Sequence, residues 1–116
     1  MNDLKKLPDT EFEIMKVVWA NEPPITTNIV MEQLGNVRNW KAPTVISLML
    51  RLVEKGFVAC EKKDRFYYAP LVTEDEYQRY KTRRFIDRIY GGSVKSLLSA
   101  LCRSESLSKE DIEELL

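Results

Sequence analysis

Histidine is absent from all 116 residues, and cysteine occurs only as Cys60 and Cys102. Without an imidazole the chain lacks the commonest general base and the commonest metal ligand. Two cysteines with no CxxC spacing fit neither a zinc site nor a disulfide framework, so both read as small hydrophobes. The four glycines, Gly35, Gly56, Gly91 and Gly92, build no phosphate-cradling loop. Carboxylates are plentiful, but they stand beside Lys and Arg, where they read as solvated helix faces. Catalysis has nothing to stand on, and no cofactor or metal is expected. No apolar run approaches the roughly 18–20 residues of a membrane span. The opening "MNDLKKLPDT" lacks a signal-peptide core. A cytoplasmic protein without membrane insertion is therefore expected.

What is present is balanced charge, unevenly spread. Lys and Arg number 18, as do Asp and Glu. Between Arg38 and Arg65, however, Arg38, Lys41, Arg51, Lys55, Lys62, Lys63 and Arg65 outnumber Glu54, Glu61 and Asp64. A second basic run, "RYKTRRFIDR" from Arg79 to Arg88, sets five cations against Asp87. Such local basic stretches matter more for a polyanionic partner than the net charge does.

In "PDTEFEIMKVVW", Phe12, Met15 and Trp19 recur at i, i+3 and i+7, with Ile14 and Val18 widening the stripe. That pattern predicts a core helix, opened by Asp9 or by a Thr10–Glu13 capping box. "ITTNIVMEQLG" predicts a short second helix, capped by Thr26 or Thr27 and closed by Gly35. A third follows in "APTVISLMLRLVEKG", with Pro43 in its first turn and Val45, Leu48, Met49, Leu52 and Val53 in helical register. Strands are expected over 57–61 and 66–71, on either side of a charged turn. A Thr73–Glu76 capping box then opens a helix to Tyr90, and Gly91-Gly92 interrupts it. "SVKSLLSALC" and "SKEDIEELL", the latter capped by Ser108, predict two more helices.

The predicted class is mostly α with a small antiparallel β-hairpin. Its order is that of a winged helix-turn-helix over 1–72, with a C-terminal helical dimerisation arm over 73–116. A lone hairpin is marginal in water, so this one must pack on the helical core. In the third helix, the core stripe leaves Pro43, Thr44, Ser47, Leu50, Arg51 and Glu54 on the opposite side. Hydroxyls near a helix N-terminus, with an Arg beyond, suit a helix entering the major groove. They equally describe an indifferent surface. Leu50, flanked by Ile46, could meet a thymine methyl or tuck beneath a neighbouring chain. Lys62, Lys63 and Arg65 at the hairpin tip suit phosphate contact, or serve to discourage strand pairing with other chains. In the arm, Tyr77, Tyr80, Phe85, Ile86, Ile89, Tyr90, Leu97, Leu98 and Leu101 offer more apolar surface than it can hide alone, which points to a homodimer.

"EFEIMKVVW", "TVISLMLRLVEKGFV", the basic wing ending in "FYYAPLV", "YKTRRFIDRIYGG" and "LSKEDIEELL" together resemble the penicillinase and methicillin-resistance repressor family. The resemblance runs in order along nearly the whole chain. It implies a homodimeric winged-helix transcriptional repressor on palindromic operators in double-stranded DNA, controlling antibiotic-resistance or related genes. It further implies, for some members, a membrane metalloprotease sensor that cuts the arm, here at the Ala100–Leu101 bond. Where well-known members begin the recognition helix with Ser-Pro-Lys-Thr, this chain has Lys41-Ala42-Pro43-Thr44, and Ile46 replaces a polar or basic residue. Copper sensing is not expected, since a Cys-rich tail is lacking. The competing reading is a winged-helix protein-interaction module that does not bind DNA.

Overall fold

In the computed structural model, residues 4–103 and Glu110 are described. The predicted last helix and its Ser108 cap lie outside them. The chain divides into two compact units, the first ending at Tyr77 and the second beginning at Gln78.

Helix α1 (Asp9–Ala20) packs Ile14, Met15 and Val18 into the core of the first unit. Its start differs from expectation. Asp9 is already helical, no side chain caps the first turn, and Pro8 occupies the cap position. Proline presets φ for helix entry without needing a donor, so the Thr10–Glu13 capping box is not formed.

The next segment holds an element that periodicity did not announce. Ile25–Thr26 forms a short strand, β1, before α2 (Thr27–Val30) begins. Thr26 is the cap, its Oγ1 accepting from the Ile29 N–H at 3.3 Å. The helix then widens into a π-turn over Met31–Gly35. Gly35 does not end it in a left-handed conformation; Asn39 takes the positive φ, at 58°. What requires glycine here is close approach. A Cβ on Gly35 would lie 2.6 Å from Met31 Sδ and 3.3 Å from Val45 Cγ2.

Helix α3 (Ala42–Glu54) buries Val45, Leu48, Met49 and Leu52. It hands over to β2 (Val58–Lys62) through Gly56, at φ 81°. Strand β3 (Phe66–Pro70) pairs antiparallel with β2, Cys60 opposite Tyr68, and with β1, Ile25 opposite Tyr68. The hairpin is thus the larger part of a three-stranded sheet ordered β1-β3-β2. Tyr68, on the central strand, is buried with Ile25, Phe57 and Val58. Burial raises the Tyr68 phenol above its ordinary value, against a hydrogen bond with Thr27 that acts the other way. Half-buried Cys60 has its thiol raised by burial as well. Cys102 is exposed rather than buried as a hydrophobe.

Helix α4 (Glu74–Tyr90) opens on the expected capping box. Thr73 N–H donates to Glu76 Oε1 at 3.0 Å, and Glu76 N–H donates to Thr73 Oγ1 at 3.1 Å. Its Tyr77 corrects the dimerisation assignment. The side chain is fully buried in the first unit, among the rings of Phe12, Trp19 and Phe57 at centroid distances of 5.6–6.0 Å. Its hydroxyl accepts from the Leu7 N–H at 2.8 Å. A buried ring with a satisfied hydroxyl is core.

In the second unit, Gly91 and Gly92 both take positive φ, and α5 (Val94–Arg103) begins after a Ser93 cap whose Oγ accepts from Ser96 N–H. Ile86 is buried within the chain itself, whereas Phe85, Ile89 and Val94 are exposed. Tyr80, Tyr90, Leu97, Leu98, Ala100 and Leu101 are half-buried.

Replacing Tyr77 by Phe is expected to cost about 1–3 kcal/mol in urea denaturation, because the buried Leu7 N–H then loses its acceptor. The association state should not change in sedimentation.

Candidate nucleic-acid interface

The geometry of α3 follows from its core stripe. With Val45, Leu48, Met49 and Leu52 turned inward, the spacing of about 3.6 residues per turn turns Thr44, Ser47 and Arg51 outward. Pro43, Thr44, Ser47 and Arg51 line one open depression together with the edge of Leu48. Pro43, Thr44, Ser47 and Arg51 are all exposed; Lys41, at the N-cap position of α3, is exposed as well. Lys41 offers no side-chain cap, Pro43 brings no N–H to the first turn, and the Thr44 N–H donates to the Lys41 carbonyl at 3.0 Å. The sequence-predicted residues of the third helix are therefore brought together on one surface.

The wing tip, between β2 and β3, carries Lys62, Lys63 and Arg65, all exposed. A local frame holds it. Lys63 N–H donates to the Arg65 carbonyl at 2.9 Å, and the Tyr67 hydroxyl donates to Asp64 Oδ1 at 2.9 Å. Arg65 Nε lies 3.5 Å from Asp64 Oδ2, and Lys63 Nζ 3.5 Å from Glu61 Oε1. Lys62 sits over the Phe66 ring at 5.7 Å. Exposed ion pairs of this kind are worth little in water, so the cations stay available to a stronger anion.

Two cations of the basic stretch are already committed. Arg38 pairs with Glu13, and Lys55 Nζ lies 2.6 Å from Oε1 of the buried Glu11. Both acids come from α1, far away in sequence, and a count along the chain could not assign them. Lys41, Arg51, Lys62, Lys63 and Arg65 are left for a polyanion. In the second basic run, Arg83 pairs with Asp87 at 3.5 Å, and the Arg84 guanidinium stacks 6.0 Å from the Tyr80 ring centre.

The sequence reading missed a second depression, lined by Thr26, Thr27, Asn28, Asp64, Arg65 and Phe66. It joins the start of α2 to the wing tip. The signal was present in the "TTN" capping run, but only the β1–β3 pairing places that run beside the wing.

The Tyr67 hydrogen bond, foremost, holds the Asp64 carboxyl below its ordinary value, and the same bond raises the Tyr67 phenol. For a depressed acid, the stabilisation is present above the unfolded-state value and disappears as pH falls through the folded-state one. For a raised phenol, it is present below the unfolded-state value and disappears as pH rises through the folded-state one. The bond therefore braces the wing across the whole neutral range.

This sequence matches the penicillinase repressor family over residues 7–116. The chain belongs to the penicillinase repressor family. Members of this family are DNA-binding transcriptional repressors, not enzymes, and the chain is one of them. It is 35% identical to the penicillinase repressor of Bacillus licheniformis, over 97% of this chain and 90% of that protein. Identity to the methicillin resistance regulatory protein MecI of Mammaliicoccus sciuri is 31%, over 98% and 93% of the two chains. Among solved structures, the DNA-binding domain of the repressor BlaI matches with a TM-score of 0.56 and 35% identity, over 66% of this chain and 94% of that one. The monomeric form of Bacillus licheniformis BlaI in complex with the blaP half-operator matches with a TM-score of 0.54 and 33% identity, over the same shares. Membership in the penicillinase repressor family removes the interaction-module reading. Among the described residues no helix is long and apolar enough to cross a membrane, and no group of side chains could hold a metal ion.

Replacing Tyr67 by Phe should move the Asp64 titration upward, toward the ordinary carboxylate range, in a carboxyl-detected NMR titration. An unmoved Asp64 would remove the brace.

Proposed function

We propose that this repressor binds palindromic operators as a homodimer in the cytoplasm, and controls antibiotic-resistance or related genes. The observation that carries the DNA-binding geometry is the shared surface of Pro43, Thr44, Ser47 and Arg51 on α3. The unit that presents it also carries three exposed wing-tip cations. In this reading Thr44 and Ser47, one turn apart, reach base edges, where a hydroxyl can donate or accept. Arg51, two turns beyond Thr44, and Lys41, ahead of the helix, meet phosphates. Lys62, Lys63 and Arg65 add charge that is blind to sequence.

Dimerisation rests on the second unit. Phe85 and Ile89 are 50% and 61% exposed, and Val94 is 48% exposed. Leu97, Leu98, Tyr80 and Tyr90 are only half covered. A twofold mate would bury this surface isologously. The Ala100–Leu101 bond lies inside α5. Its cleavage by a membrane metalloprotease sensor would split the arm and release DNA by mass action, leaving α3 and the wing intact.

In mobility shifts over a salt series, Thr44→Ala should relax preference at one position per half-site, at about 1–3 kcal/mol. Lys63→Ala and Arg65→Ala should weaken all sequences alike and flatten the salt slope by about one unit for each phosphate left without its cation. Preference changed by the wing variants but untouched by Thr44→Ala and Ser47→Ala would move base reading to the hairpin.

A Phe85→Ser/Ile89→Ser pair should shift the sedimenting species from dimer to monomer at micromolar concentration and weaken operator binding. A monomeric wild type would end the dimer reading. Mass spectrometry of the protein from induced cells should show the fragment ending at Ala100; an intact chain during full derepression would exclude cleavage.

A further inference from the structure

The outward side of α3 is not uniformly polar. Pro43, Ile46 and Leu50 stand at i, i+3 and i+7, a spacing that stacks side chains on one helix face. Leu50 is 47% exposed, Pro43 is exposed, and Ile46 is half-buried. Pro43 also lines the depression formed with Thr44, Ser47 and Arg51, so the apolar strip is continuous with the surface assigned to DNA.

A single exposed leucine is ordinary. An aliphatic pair beside a groove-reading surface has fewer uses. It cannot hold a phosphate. Of the groups that base pairs display in the major groove, the apolar one is the C5-methyl of thymine. Reach is adequate, because Leu50 lies six residues beyond Thr44, about 9 Å along the helix axis. A major groove about 12 Å wide admits an α-helix, and Ser47 and Leu50, one turn apart on the outward side of α3, can then face base edges together.

Resting on the DNA-binding reading above, we propose that Ile46 and Leu50 read thymine C5-methyl groups in the operator. Thr44 and Ser47 supply hydrogen bonds, and the aliphatic pair fixes thymine positions by contact and exclusion of water. Operator preference in this chain then depends on methyl groups as well as on hydrogen-bonding edges.

The test uses the full-length protein and duplexes that it selects from a random pool. Each selected thymine is replaced in turn by deoxyuridine, which deletes the methyl and leaves the hydrogen-bonding edge unchanged. Losing one buried methyl should weaken wild-type binding about fourfold, the equivalent of about 0.8 kcal/mol. Leu50→Ala should no longer respond at one of those positions, and Ile46→Ala at another. Ala is a strong helix former, and a native far-UV circular dichroism spectrum with a cooperative thermal transition shows that each variant is folded. Sequence-specific binding indifferent to deoxyuridine at every thymine overturns the proposal and leaves the DNA-binding reading standing. Equal weakening of wild type and both variants also overturns it, since another group then reads the methyl. Failure to select any duplex removes the DNA-binding reading and this proposal with it.

Discussion

The burial of Val45, Leu48, Met49 and Leu52 along one side of α3 decides what the rest of the first unit can do. The helix has 13 residues, and each inward side chain fixes its neighbours outward at about 100° per residue. A slip of one residue would put Thr44, Ser47 and Arg51 in the core. Gly35 tightens the constraint from behind, because its missing Cβ lets the π-turn after α2 sit against Val45. The orientation of the reading surface is therefore set by apolar packing, with hydrogen bonds in a supporting role. Polar side chains on that surface can vary with little effect on the fold, and this is what lets one scaffold carry different operators.

Most of the fold was legible because its signals are local. The α3 stripe, Pro43 at its start, Gly56 at its end and the Thr73–Glu76 box are each complete within a few residues, and each stands where the pattern placed it. What escaped the reading depends on partners far along the chain. Strand β1 is two residues long and has meaning only through Tyr67 and Tyr68. Tyr77 belongs by periodicity to the helix it sits on, yet its ring is buried among Phe12, Trp19 and Phe57. A helical repeat says which side of a helix is apolar. It does not say which neighbour covers that side.

The same limit explains the charge. Counted along the chain, Arg38 and Lys55 belong to a basic patch, but α1 supplies Glu13 and Glu11 to them. Glu11 is 2% exposed, so its carboxylate needs the Lys55 ammonium for compensation rather than for recognition. Lys55 therefore ties α1 to the end of α3 and is not free to meet a phosphate. Candidate phosphate ligands narrow to Lys41, Arg51 and the wing tip, with Glu54, Glu61 and Asp64 interspersed among them.

The proposed division between phosphate-facing cations and a base-facing helix has a consequence for selectivity. Non-specific binding comes almost entirely from phosphate neutralisation and falls steeply with salt. Phosphate contacts from Lys41, Arg51 and the wing tip would add only to that sequence-blind part. Specific affinity must then come from base edges, where each good interaction contributes about 1–3 kcal/mol. Two hydroxyls supply little of that alone. Apolar packing against methyl groups adds discrimination without adding charge, so it raises the specific term and leaves the non-specific one unchanged. In a chain whose net charge is zero, the proposed contact of Ile46 and Leu50 with thymine methyls would supply discrimination by that route.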